Sequence, residues 1–217
     1  GRLAHEVRTP LTAVRTYAQL LGQTNGDASL GQFWEQTVRP ELERLERLIA
    51  EQVRLVEQPE PHLQLINLEN VVREAVAELC VGEGQHRVAP EVVVNEPLPE
   101  VVADPVTTRE ALQYLLRSLQ RQGTDPLRIH LAAHATPGGQ ELAIRLMIRA
   151  REGVPLHMTL DPVQALQLPD CDLGPAISRQ LIEKQGGTLH WQVADQTLEF
   201  RAAFPVLVVK RAQPYGV

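Results

Sequence analysis

The sequence predicts an α+β protein: an antiparallel helical hairpin that forms a four-helix bundle on dimerisation, followed by an α/β sandwich. Apolar residues recur at alternating steps of three and four through residues 3–21 and 38–56, which is typical of helices in a bundle. Beyond residue 61, helical and strand patterns follow each other without regular alternation, which favours helices on one face of a mixed sheet. We therefore expect two domains, residues 1–60 and 61–217.

The first part contains two helical stripes joined by a turn predicted at 23–27. Pro40 is expected to kink or restart the second helix, and the proline-containing stretch 58–61 to end it. Nothing local covers the apolar stripe of such a hairpin, so the simplest cover is a second copy of the chain, which predicts a homodimer. The stripes consist of Leu3, Val7, Leu11, Val14, Ala18 and Leu21, then Val38, Leu42, Leu45, Ile49, Val53 and Val56.

The second part is a series of short helices and strands. Two strands flank a Pro-Gly-Gly turn, and a final pair flanks residues 194–197, so both pairs are expected to be hairpins. The predicted helices are 67–79, 105–122 and 175–185; the predicted strands are 91–95, 128–133, 141–148, 188–193 and 198–204, with a short apolar run at 101–102.

Composition excludes several classes of protein. Of 217 residues, 43% are hydrophobic and 22% charged, as in soluble globular proteins, and the net charge of -6 argues against nucleic acid as a partner. No run of consecutive apolar residues approaches the length that a membrane span requires. Two cysteines without a C-x-x-C spacing fit a reducing, cytoplasmic setting. Because the chain starts at Gly1 without Met, we expect it to be a fragment of a longer protein. A sensor domain or a membrane span could precede it in that protein.

The stretch HEVRTPL places a histidine, a glutamate and a threonine beside a proline within a helical pattern. His5, Glu6 and Thr9 lie off the apolar stripe, and His5 and Thr9 are one turn apart. An imidazole can attack phosphorus when a neighbouring carboxylate accepts its proton, and Pro10 removes one helical hydrogen bond nearby. From the residues alone, an ordinary exposed helix position remains the alternative for His5.

HEVRTPL resembles the phosphoacceptor H box of the bacterial sensor histidine kinases. Four further segments resemble the same family in order and spacing: ELERLERLIAEQVRLVEQPEP, INLENVVREAVAEL, LPEVVADP and KQGGTLHW. The resemblance implies a dimerisation and histidine phosphotransfer domain over 1–60, and a histidine-kinase-like ATP-binding domain over 61–217. It also implies ATP and Mg²⁺ as cofactors and the receiver domain of a response regulator as a partner.

The same resemblance assigns roles in the H box. His5 would accept a phosphoryl group and exchange it with an aspartate of the receiver domain. Glu6 would act as the acid/base neighbour, and Thr9 with Glu6 would position water for dephosphorylation of the regulator. Pro10 would bend the helix beside the imidazole.

The nucleotide motifs depart from the family pattern. Tyr114 and Ser118 stand where the family has asparagines, Arg121 stands at the basic position, and Glu110 remains as a carboxylate. The first glycine box lacks its aspartate and keeps only Gly153. The second glycine box keeps Gly174, two residues after Asp172, and the negative charge of Asp172 would repel phosphates. The candidate nucleotide residues are thus Glu110, Ser118, Arg121, Gly153 and Gly174, with no metal ligand assigned.

We therefore expect a histidine-kinase-like protein of two-component signalling in which His5 takes part in phosphotransfer while ATP binding is weak or lost. The phosphoryl group would come from a regulator or from an active histidine kinase. One alternative is an active kinase that autophosphorylates His5 through a variant pocket; another is a non-catalytic dimeric scaffold. His130 and His134 lie four apart on a predicted strand and lack a metal-ligand spacing.

Overall fold

The computed structural model describes residues 2–21, 28–56, 60–82, 89–95, 98–136, 139–150, 158–165 and 172–206. The chain forms two compact units, one of residues 1–58 with 161–173 and the other of residues 59–160 with 174–217. None of the helices in these described ranges has both the length and the apolar composition that a membrane span requires. The turn predicted at 23–27 lies outside the described residues.

The first unit is helical. Helix α1 spans Arg2–Leu21, α2 spans Ala28–Phe33, a π-helical segment spans Trp34–Val38, and α3 spans Arg39–Val56. A short helix α6, Pro162–Ala165, belongs to the same unit. Tyr17 of α1 stacks on Trp34 with ring centroids 5.1 Å apart and planes tilted by 49°, an arrangement that aromatic pairs favour. This ring pair joins α1 to the π-helical segment.

Pro40 explains why the helical ladder changes register before α3. A proline has no N–H to donate to the carbonyl four residues earlier. Arg39, just before it, donates its backbone N–H to Trp34, five residues back, which is the hydrogen bond of a π-helix. The α-helical pattern then begins at Arg39, so the predicted restart occurs next to the proline.

Among its described residues, the second unit contains a five-stranded sheet, a two-stranded sheet and three helices. The elements are β1 Gln64–Ile66, α4 Leu68–Gly82, β2 Glu91–Asn95, β3 Val101–Ala103, α5 Pro105–Gln122, β4 Gly123–Thr136, β5 Gly139–Ala150, α7 Gly174–Glu183, β6 Thr188–Ala194 and β7 Thr197–Pro205. The strands of the large sheet lie in the order β2-β4-β5-β7-β6, with β2 parallel to β4 and the other pairs antiparallel. Strands β1 and β3 form the small antiparallel sheet.

The core of this unit lies between the helices and one face of the large sheet. Helix α5 packs against α4 and α7, and alternate residues of the central strands are buried beneath them. The buried set includes Leu112, Leu115 and Leu119 of α5, Ile177 and Leu181 of α7, Ile129 and Leu131 of β4, Ile144 and Leu146 of β5, and Phe200 and Phe204 of β7. Because side chains alternate along a strand, residues between these positions line the opposite face.

Two turns fix the last hairpin. Gly186 has φ +80°, and the amides of Gly186 and Gly187 donate to the carbonyls of Glu183 and Ile182, at 3.0 and 3.1 Å. This is a Schellman motif, which ends α7 and requires the left-handed backbone that glycine adopts at no steric cost. Asp195 and Gln196 both have positive φ, as a two-residue hairpin turn requires.

Candidate functional site

Helix α1 carries the H-box residues and runs unbroken through Pro10. Pro10 is buried, whereas Arg8 and Thr9 are exposed. The backbone of His5 and Glu6 belongs to this helix, but their side chains lie outside the described part of the chain. Since an α-helix rises about 1.5 Å per residue, positions 5 and 9 are separated by about one turn, or roughly 6 Å along the axis.

The turn that follows His5 has a weakened hydrogen-bond ladder. Pro10 cannot donate to the carbonyl at position 6. Two residues later, the Thr12 hydroxyl donates to the carbonyl of Arg8 at 2.8 Å, a bond from a side chain to the preceding turn that tends to bend helices. Both features favour local deformation of α1 between residues 6 and 12, next to the candidate phosphoacceptor.

Helix α5 carries three of the candidate nucleotide residues. Ser118 is fully buried, and its hydroxyl donates to the carbonyl of Tyr114 at 2.9 Å within the helix. Glu110 and Tyr114 are half-buried, and Arg121 is exposed near the end of the helix. The structure therefore places these residues along one helix, but it directs the Ser118 hydroxyl to the backbone of α5.

Helix α7 begins at the second glycine position. Gly174 is buried and starts the helix, directly before Pro175, where a proline is tolerated because the amide has no intrahelical partner. Ser178 donates from one hydroxyl to the carbonyls of Gly174 and Ala111, both at 2.8 Å. This shared bond fastens α7 directly to α5.

The structure describes only part of the loops in which the glycine boxes were predicted. Gly153 lies outside the described residues. Asp161, which follows the first glycine box, accepts backbone N–H bonds from Val163 and Gln164 at 2.8 and 3.3 Å and thereby caps α6. Over the parts of the chain that are described, no cluster of three or more His, Cys, Asp or Glu is arranged to hold a metal ion.

At two α5 positions where the family resemblance places asparagines, Tyr114 and Ser118 offer no amide oxygen to Mg²⁺. Mg²⁺ takes oxygen ligands at about 2.0–2.1 Å in near-octahedral geometry, which requires an accessible oxygen. The hydroxyl of Ser118 is buried and already directed to a carbonyl, and Tyr114 offers a phenol instead of an amide. Of the α5 candidates, Glu110 alone has a carboxylate.

Sequence reasoning missed a polar network built around Asp104. Its side chain accepts backbone N–H bonds from His62, Val106 and Thr107 at 2.8, 2.9 and 3.2 Å. Its own amide donates to the Oε1 of Gln185 at 2.7 Å, and the Thr108 hydroxyl donates to the same oxygen at 3.1 Å. Asp104 thus caps α5 while joining the segment before β1 to the end of α7. An aspartate directly before Pro105 is the sequence signal that predicts such a cap.

The environment of Asp104 changes its acidity. Burial by itself raises the pKa of a carboxyl, but the hydrogen bonds from His62, Thr107 and Val106 outweigh burial and lower the pKa of Asp104 below its ordinary value. The carboxylate form is therefore the one that the fold stabilises.

Comparisons with known proteins find similarity to histidine kinases. The model of the His Kinase A (phospho-acceptor) domain matches residues 1–58. The sensor histidine kinase ZraS of Escherichia coli K12 is 24% identical over 195 residues, covering 89% of this chain and 41% of ZraS. The histidine kinase ThkA, solved in complex with the response regulator TrrA, superposes with a TM-score of 0.69 at 20% identity, over 97% of this chain and 61% of ThkA.

Residues 1–58 thus match the phospho-acceptor domain, and the whole chain is similar to the catalytic core of sensor histidine kinases. The predicted fold class, a helical hairpin followed by an α/β sandwich, is confirmed. The sensory histidine kinase/phosphatase NtrB of Salmonella typhimurium is a second relative, 26% identical over 215 residues, which are 94% of this chain and 60% of NtrB. The chain thus spans about half the length of the curated relatives it matches.

Proposed function

We propose that this histidine kinase core works in two-component signalling through phosphotransfer at His5, with ATP binding weak or lost. The observation that carries the proposal is the burial of Ser118, whose hydroxyl donates to the Tyr114 carbonyl at a position where the family presents an asparagine. The H-box string, by contrast, is complete, and it lies in the segment that matches the phospho-acceptor domain.

The phosphotransfer step needs only a nucleophile, a proton acceptor and a phosphorylated donor. A nitrogen of the His5 imidazole would attack the phosphorus of an aspartyl phosphate on a receiver domain. The P–N bond forms as the P–O bond breaks, the receiver aspartate leaves as a carboxylate, and Glu6 takes the imidazole proton. The reverse step would return the phosphoryl group to the receiver.

Two donors separate the proposed function from its alternatives. The chain is incubated with Mg²⁺ and γ-labelled ATP, and separately with phosphoramidate, which donates a phosphoryl group without nucleotide. We expect phosphohistidine, detected by mass spectrometry of the His5 peptide, from phosphoramidate and not from ATP. Stoichiometric label from ATP would establish the autokinase alternative. Label from neither donor would leave the scaffold alternative.

We propose further that the functional form is a homodimer joined through α1 and α3. Four residues of the predicted apolar stripe remain about half exposed in the single chain: Leu11 at 54%, Leu21 at 50%, Ile49 at 55% and Val53 at 48%. Burying one such side chain contributes roughly 1.5–3 kcal/mol, and a two-fold axis buries each of them twice. A four-helix bundle is the arrangement that covers both stripes.

Replacing Leu11 and Ile49 together by glutamate is expected to weaken the dimer by at least about 100-fold, because two charges in each chain would enter an apolar interface. Analytical ultracentrifugation across a concentration series measures the dissociation constant. Arg47→Glu is the matched control. This substitution changes the net charge more than Ile49→Glu does. Positions 47 and 49 are separated by about 200° around the helix axis, so Arg47 lies on the other side of α3. Equal dissociation in both variants would contradict this interface.

A further inference from the structure

The large sheet of the second unit has an open face with a row of basic side chains across it. His130 of β4, Arg145 of β5, Arg201 of β7 and His190 of β6 are direct cross-strand neighbours in consecutive antiparallel pairs. Residues directly opposite in antiparallel strands point to the same face. These four residues, called the basic row, therefore form one line of about 14 Å across four strands.

The described helices of this unit pack on the opposite face. Next to the row along the strands, Leu131, Ile144, Ala202 and Leu189 are buried on the helix side. The side chains of Arg145 and His190 are exposed, and those of His130 and Arg201 are half-buried. Among the described elements of this unit, therefore, none covers the basic row.

The charges of the row are only partly neutralised within the sheet. Arg145 pairs with Glu199 at 3.2 Å, but the same carboxylate also accepts from Gln192 at 3.2 Å. The Nε of Arg201 is buried and has no hydrogen-bond partner among the described residues. Like charges directly opposite each other destabilise a sheet, and a buried guanidinium nitrogen without an acceptor adds to that cost. An external anion would remove both penalties.

A depression of about 180 Å³ lies at one end of the row. It is lined by Arg145, Arg201 and His190 together with Trp191, Gln192 and Glu199. Arginine is among the residues most enriched where protein interfaces concentrate their binding energy, and a guanidinium holds a carboxylate with two parallel hydrogen bonds. A larger depression of about 650 Å³, lined by Arg128, His130, Arg149 and Asp195 among others, continues the basic surface along β4 and β5.

We propose that the basic row is a docking surface for an acidic segment of a protein partner, with one carboxylate bound by Arg145 and Arg201. The occupant is identified by charge complementarity and by shape: the row is long and flat, as suits a chain of several acidic residues. This surface lies on the sheet and involves none of the residues proposed for phosphotransfer, so it can be tested independently of that function.

The test measures binding of a fluorescein-labelled glutamate-rich peptide of about eight residues, long enough to cross the row, by fluorescence anisotropy with the full chain. Arg145→Gln and Arg201→Gln are each expected to weaken binding by about tenfold, the effect of losing one charge-assisted hydrogen-bonded pair. The matched control is Arg179→Gln, which removes the same charge from an exposed arginine paired with Glu183 on α7, and should change binding less than about twofold.

Three results would overturn the proposal. The first is no binding of the peptide to the unaltered chain at millimolar concentration, and the second is equal weakening by Arg179→Gln. The third is displacement of the peptide by inorganic phosphate or by phosphatidylserine vesicles at equivalent anion concentration, which would assign the row to a small anion or a lipid surface. Because Arg201 is partly buried, thermal melts accompany each variant, and the exposed Arg145 keeps the test decisive if Arg201→Gln fails to fold.

Discussion

Replacement of His5 by glutamine is expected to abolish phosphoryl uptake from phosphoramidate, with a fall of at least about 1,000-fold in rate, because the amide has no nucleophilic nitrogen to form the P–N bond. Helix α1 should persist, since glutamine is a good helix former. The measurement is the rate of phosphohistidine formation followed by mass spectrometry, with circular dichroism to verify that the helical content is unchanged.

Thr9→Ala is the informative comparison on the same helix. Thr9 is exposed one turn after His5, and its proposed role is to position water for dephosphorylation of the regulator. The variant is expected to accept a phosphoryl group at nearly the original rate, within about threefold, while losing dephosphorylation of a charged receiver domain by about tenfold or more. Uptake that persists in His5→Gln, or that disappears equally in Thr9→Ala, would contradict the assignment of His5 as the nucleophile.

The sequence predicts most of the fold because two kinds of signal are local: the spacing of apolar residues within an element, and the prolines, glycines and capping residues at its ends. Helix 105–122 forms over Pro105–Gln122, since Asp104 and Pro105 mark its start. Strand 91–95 forms as predicted, and the last hairpin extends the predicted strands by only one residue at three of their ends. In these elements local preference and tertiary packing favour the same structure.

The features that the sequence does not predict depend on residues far apart in the chain. The bond from Asp104 to Gln185 spans 81 positions, and the one from Ser178 to Ala111 spans 67. The spacing of residue types along the sequence does not indicate such long-range pairs. The basic row is invisible for the same reason: its four residues are spread from position 130 to 201, and only the strand register brings them together. Likewise, the sequence has Ser118 where the family resemblance places an asparagine, but only the structure reveals that the Ser118 hydroxyl donates to the backbone.

Asp104→Ala is expected to lower the free energy of unfolding of the second unit by about 3 kcal/mol, because three backbone N–H groups lose a charged acceptor. Asp104 is only 6% exposed, so water cannot readily replace the carboxylate. Asn67→Ala is the matched control: Asn67 caps α4 of the same unit through the amides of Glu69 and Asn70, but it is exposed, and its loss should cost about 1 kcal/mol. Urea denaturation measures both, and equal losses would contradict a special role for the Asp104 network.

The same network gives a pH dependence whose sign follows from the lowered pKa of Asp104. In the unfolded chain an aspartate titrates near 3.9, so the unfolded state binds the proton first as the pH falls. The stabilisation is therefore fully present above that value and is lost as the pH falls through the lower pKa of the folded state. Asp104→Asn keeps the shape of the side chain but cannot ionise. We expect the stability difference between the original chain and this variant to be constant from about pH 7 to 5 and to shrink below about pH 4. A difference that stays constant to about pH 2 would mean that the charge of Asp104 contributes nothing to the cap.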